Sequence, residues 1–188
     1  RVNLAGRNAS LPDVARLEVP PGTYRMEVKA RNRLSGRLGI YRQQMVVSDY
    51  GESGLDLSDI ELAWQISESD EAGPFVKNGV KVIPMPSRTY SKGQNPFVYY
   101  EIYNLERDVF GNSRYQVTYT VAPKGGNVLS SLARTLTGKG RSREVAVGYE
   151  QVGSGESEVV FTEISLENTM PGRYSLAVEV RDLVNGKK

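Results

Sequence analysis

PGTYRMEVKARNRLSGR, Pro21 to Arg37, and PGRYSLAVEVRDLVNGK, Pro171 to Lys187, align without a gap at an offset of 150 residues. Pro, Gly, Tyr, Val, Arg and Gly recur at the same places in both. Pro-Gly makes a tight corner, because Pro fixes φ and Gly accepts φ > 0. After the corner, Tyr24, Met26, Val28 and Ala30 alternate with Arg25, Glu27, Lys29 and Arg31. Tyr174, Leu176, Val178 and Val180 repeat that alternation against Ser175, Ala177, Glu179 and Arg181. A period of two with one apolar face is the mark of a half-buried strand. Asn32 to Gly36 and Asp182 to Gly186 then carry the residue types of a hairpin turn.

A tyrosine just after such a corner resembles the tyrosine corner of immunoglobulin-like sandwiches, which opens the penultimate strand. The fold expected is therefore all-β, with two tandem immunoglobulin-like or fibronectin-like sandwiches. Residues 1–50 read as the C-terminal part of the first, 51–60 as a linker and 61–188 as the second. After the first corner a return strand follows, RLGIYRQQMVVSDY, residues 37–50. After the second none does, so the second sandwich is expected to lack its last strand and to leave an open edge that a partner strand could complete. Between them, strands are expected at 61–67, 80–84, 96–105, 114–122, 143–151, 158–166 and 172–182. Val128, Leu129, Leu132, Ala133 and Leu136 fall at helical spacing, so 127–136 reads equally as a short helix, a strand or a loop.

The segments PGTYRMEVKARNRLSGR, LSDIELAW, GPFVKNGVKVIPMPSRTY, VYYEIYNL and RYQVTYTV, in this order, resemble the C-terminal β-region of GWxTD-domain proteins of the bacterial envelope. The resemblance covers about residues 20–188. It implies an extracytoplasmic location, in the periplasm or cell envelope, and two β-sandwich modules. The motif that names the family is absent, since the one tryptophan is Trp64 in Ala-Trp-Gln. No catalytic residue is carried over with the resemblance.

Composition narrows the chemistry. There are no cysteines and no histidines, which removes disulfides, thiolate ligands and the commonest general base and zinc ligand. Carboxylates are plentiful, yet no pair is singled out by its surroundings for glycoside hydrolysis. The acidic stretch Asp49 to Asp59 reads as a solvated linker or, since hard cations want clustered carboxylates, as a calcium site, although it lacks the spacing of a calcium-binding helix-loop-helix. GKGRSR, 138–143, lacks the phosphate-loop pattern. No enzyme, cofactor or metal is expected. No apolar run approaches the roughly 20 residues of a membrane span.

Two groups stand out as partner-binding candidates. The first is aromatic: alternation puts Phe97, Tyr99, Glu101 and Tyr103 on one face, with Val98, Tyr100 and Ile102 on the other. An exposed tyrosine row suits a protein interface or sugar stacking. The second is basic: Arg25, Lys29 and Arg31 share an outward face, and Arg33, Arg37 and Arg42 follow around the hairpin. Residues 1–48 hold nine basic side chains against three acidic ones, a balance of +6, while the remainder holds 15 against 19, a balance of −4. Such a face meets an acidic protein, an anionic surface or a polysaccharide; without a recognised module, nucleic acid is not expected. The expectation is a non-catalytic protein-binding or scaffolding module. It would be membrane-peripheral, a structural subunit of a larger membrane-associated complex. A carbohydrate-binding module or the accessory domain of a secreted enzyme is the alternative.

Overall fold

The computed structural model describes residues 12–51, 54–124, 145–167 and 169–188, and among these it has eleven strands and no helix. The strands are β1 Gly22–Arg31, β2 Leu38–Val47, β3 Asp56–Leu57, β4 Glu61–Glu68, β5 Val76–Lys77, β6 Val80–Pro84, β7 Phe97–Tyr103, β8 Ser113–Pro123, β9 Val145–Gly153, β10 Glu158–Glu163 and β11 Tyr174–Asp182. The segments 127–136 and 138–143 lie outside the described residues. Contacts divide the chain into a unit of Val14–Gly51 and a second unit containing everything from Glu52 onward.

In the larger unit two antiparallel sheets face each other. One has the order β10-β7-β4-β6-β5, with β3 also paired to β7; the other has the order β11-β8-β9. The first sheet contributes Val98, Tyr100, Ile102 and Val160 to the shared core, and the second contributes Tyr115, Val117, Tyr119 and Val180. Strict alternation along β7 and β8 sends every second side chain inward. The two layers also meet through a polar contact, where the buried hydroxyls of Tyr100 and Tyr119 lie 2.7 Å apart.

β4 breaks the alternation. A bulge between Ala63 and Gln65 shifts its register against β6. Leu62 packs on the core between the sheets, while Ala63 and Ile66, three positions apart, both enter a second cluster with Val80, Val82 and Tyr99. The extra residue of a bulge re-aims the chain beyond it, and Trp64 is left 52% exposed.

The smaller unit is the hairpin of β1 and β2, paired over its full length from Gly22↔Val47 to Arg31↔Leu38. Its corner and turn recur in the larger unit bond for bond. Tyr24 Oη donates to the Pro20 carbonyl at 2.8 Å, and Tyr174 Oη donates to the Met170 carbonyl at 2.8 Å. Asn32 Oδ1 accepts from the N–H groups of Leu34 and Ser35, as Asp182 Oδ1 does from those of Val184 and Asn185. Gly36 N–H donates to Asn32 O at 2.9 Å and Gly186 N–H to Asp182 O at 3.0 Å. Both glycines are left-handed, at φ 71° and 76°, where a side chain would strain the backbone. Even the closing rung repeats: Asn32 N–H donates to Arg37 O and Asp182 N–H to Lys187 O. β1 has β2 beside it. β11 pairs with β8 alone among the described residues and forms an edge of its sheet.

The two turns differ in what surrounds them. Asp182 is fully buried, and its Oδ2 accepts the Glu106 N–H at 2.8 Å, whereas Asn32 is exposed. Asp182→Ala would strand three backbone donors and is expected to cost about 2–4 kcal/mol. Asn32→Ala removes only exposed bonds and is expected to cost less than about 1 kcal/mol. Urea unfolding followed by far-ultraviolet circular dichroism, which reads the strands of both units, should therefore move to a lower midpoint for the first variant and change little for the second. Equal shifts would show that burial against Glu106 is not what holds the turn.

Candidate functional site

The aromatic strand β7 divides as alternation requires. Val98, Tyr100 and Ile102 lie in the core between the sheets. Phe97, Tyr99, Glu101 and Tyr103 take the other face, and there the expectation of an open row has to be corrected: Tyr99 is only 1% exposed. Its ring is sealed by Ala63 and Ile66 of β4 and by Val80 and Val82 of β6. Phe97 packs against the same cluster and is half-buried, as is Tyr103. The row is therefore not a free stacking platform.

What covers Tyr99 is the short β5–β6 hairpin, whose Asn78-Gly79 turn has both residues at positive φ. Lys77 Nζ sits 3.8 Å above the Tyr99 ring centroid, close enough for a cation–π contact. The same ammonium pairs with Glu61 at 2.6 Å. Asn78 Nδ2 donates to Tyr99 Oη at 3.2 Å. Tyr99 Oη donates to Glu101 Oε1 and Tyr103 Oη to Glu101 Oε2, each at 2.7 Å. One carboxylate thus ties two tyrosines together. Burial first, and the bond to Glu101 second, push the Tyr99 phenol above its ordinary pKa. Burial also raises the phenols of Tyr100 and Tyr119, and moves those of Tyr90 and Tyr115 up to about 12. All five stay protonated near neutral pH, far from the range a general acid or base works in.

The basic residues lie on the other unit. Register and alternation place Arg25, Lys29, Arg31 and Arg42 on one face of the β1–β2 hairpin, and Arg33 and Arg37 lie in its turn. Glu27 sits among them, bonded to Lys29 at 2.8 Å and to Arg42 at 2.5 Å. The Lys29 contact first, and the Arg42 contact second, hold its carboxyl below the usual glutamate range. Among the described residues, Arg25, Arg31, Arg33 and Arg37 form no ion pair. The structure thus gathers all six basic candidates on one hairpin and keeps the three aromatic ones in the other unit.

The opposite face of the hairpin is the apolar one that alternation marks for burial, and the structure leaves much of it open. Tyr24, Met26, Val28 and Ala30 lie across from Met45, Gln43, Tyr41 and Gly39. Val28, Tyr41 and Met45 are all exposed, Tyr41 by 57%. In the larger unit a hollow of about 640 Å³ is lined by Tyr119, Tyr149, Tyr174, Val147, Leu166 and Met170, among others. Glu163 is the one ionisable carboxylate in its wall, and it already accepts from Asn95 Nδ2 at 2.7 Å. Among the described residues, no three His, Cys, Asp or Glu side chains gather as metal ligands, and no helix is long and apolar enough to cross a membrane. In the acidic stretch, Asp56 is taken up by β3, where its Oδ1 accepts the Leu57 N–H.

If Tyr99 is a structural keystone, Tyr99→Ala should cost about 3–5 kcal/mol, as other buried aromatic truncations do. Amide exchange at Val80 and Val82 should then accelerate more than at Val117. Tyr103→Phe, which removes one of two donors to Glu101, should cost less than about 1 kcal/mol. A folded Tyr99→Ala variant with unchanged exchange at Val80 would rule out this role. Compared with known protein families, curated proteins and solved structures, the chain matches none.

Proposed function

We propose that this chain is a non-catalytic, extracytoplasmic module that holds other proteins together, as a membrane-extrinsic structural subunit of a larger assembly. The observation that carries the reading is the apolar face of the β1–β2 hairpin. A hairpin of two strands is marginal in water unless its apolar face is covered. Here that face presents Val28, Tyr41 and Met45 to solvent. Tyrosine and methionine are enriched where proteins meet one another, and a flat face of two ten-residue strands suits a protein surface better than a small ligand.

The shared tyrosine corner supports the finer architecture within this reading. On this reading β1 and β11 are corresponding strands of two immunoglobulin-like sandwiches. Among the described residues β11 pairs on one side alone, and an edge of that kind can take another strand. The carbohydrate-binding alternative finds less support, because the Tyr99 ring it would stack on is covered by β4 and β6.

A photo-crosslinking amino acid placed at Tyr41 tests the proposal in the native envelope. Discrete protein adducts should form from that position and not from Lys92, an exposed residue of the larger unit. Labelling no stronger at Tyr41 than at Lys92 would remove the apolar face as a protein-binding surface.

A further inference from the structure

The duplicated turn supplies an internal comparison. Both copies have the same hydrogen bonds and the same left-handed glycine, so the turn itself asks only for Asn or Asp at its start and Gly near its end. The positions between are free to serve other purposes. In the second copy they serve packing: Leu183 and Val184 are half-buried and Asp182 fully so. In the first copy the equivalents of Leu183 and Val184 are Arg33 and Leu34, and neither is covered. Leu34 is 100% exposed at the tip. Arg31, Arg33 and Arg37 surround it without an ion pair among the described residues. Leu38 and Ile40, also exposed, continue the apolar side chains onto the basic face.

From this arrangement we infer that the tip of the β1–β2 hairpin, Arg31 to Ile40, docks on an anionic lipid surface, with Leu34 entering the headgroup layer and Arg31, Arg33 and Arg37 pairing with lipid phosphates. Charge and shape both point to that occupant. Arg31 closes β1 and Arg33 and Arg37 lie in the turn that follows, so the three cations approach a charged surface together and under the same salt screening. Guanidinium groups match phosphate geometry and leave water more readily than ammonium groups. An acidic protein is the weaker fit, because a stable interface takes about 800 Å² from each partner and a turn of this size presents much less. A headgroup layer makes no such demand. It admits a single apolar side chain flanked by cations, as peripheral membrane segments do. The inference goes beyond the protein-binding reading and does not rest on it, since it uses the opposite face and the tip of the hairpin.

Co-sedimentation of the full chain with vesicles of phosphatidylcholine, with and without phosphatidylglycerol, tests it. Binding is expected only to the vesicles containing phosphatidylglycerol, and it should weaken as salt is raised. Replacing Arg31, Arg33 and Arg37 by Gln should reduce it roughly a hundred-fold at low salt. Leu34→Ser, which leaves the charge unchanged, should reduce it roughly three- to ten-fold, while binding to soluble polyglutamate stays as it was. Lys187→Gln, in the second turn, should have little effect on vesicle binding, and circular dichroism should show all variants folded. No binding to phosphatidylglycerol vesicles, or binding indifferent to Leu34→Ser, would overturn the inference. Loss of polyglutamate binding in Leu34→Ser would overturn it too, by placing an acidic protein where the lipid is proposed. A failure here leaves the crosslinking result at Tyr41 untouched.

Discussion

The contact between Tyr100 and Tyr119 sets the frame for the larger unit. Each hydroxyl is buried, and each would cost about 1–3 kcal/mol if left without a partner. They resolve this by bonding to one another across the two sheets. The rings meet edge to face, with centroids 6.3 Å apart, and Tyr149 of β9 lies against Tyr119 from the other side at 5.7 Å. A polar bond in the middle of an apolar core has only one geometry that satisfies it. It therefore fixes which faces of β7 and β8 point inward and how the layers are offset. The remaining faces follow, because side chains alternate strictly along a strand.

The outer face of β7 is one consequence. With Tyr100 committed inward, Tyr99 has to point outward, and a bare aromatic row there would be a large apolar patch. The chain covers it with β5 and β6 and satisfies its hydroxyl through Asn78 and Glu101. The bulge in β4 belongs to the same solution. It lets Leu62 serve the inner core while Ile66 serves the outer cluster.

This is also where the sequence stopped being legible. Period-two alternation located the seven main strands of the larger unit to within a few residues, and Asn or Asp followed by Gly located both hairpin turns. Alternation assigns faces, but it does not say what lies on them. The sealing of Tyr99 depends on the bulge that brings Ala63 and Ile66 of β4 into one cluster and on Lys77 of β5, a two-residue strand with no periodicity to detect, and so does not show in any local pattern. β3 escaped for the same reason. The bulge at Trp64 was hidden because Leu62, Trp64 and Ile66 alternate perfectly in sequence and do not share a face in the structure. The basic residues were easier, because charges that share a strand face are visible in the sequence itself; that Glu27 pairs with Lys29 and Arg42 and leaves the other four without an ion pair among the described residues is not.

The two copies of the corner-and-turn unit show how little of it the backbone requires. Tyrosine hydroxyl, Asx acceptor and left-handed glycine are common to both. The side chains between them diverge from buried Asp182 and half-buried Val184 to exposed Asn32 and Leu34. The character of the first copy is also insensitive to pH. Arginine stays charged at any physiological pH, the chain contains no histidine, and the one carboxylate on that face is held ionised by Lys29 and Arg42. The docking proposed for its tip is consequently one that salt, through screening, should weaken and mild changes of acidity should not.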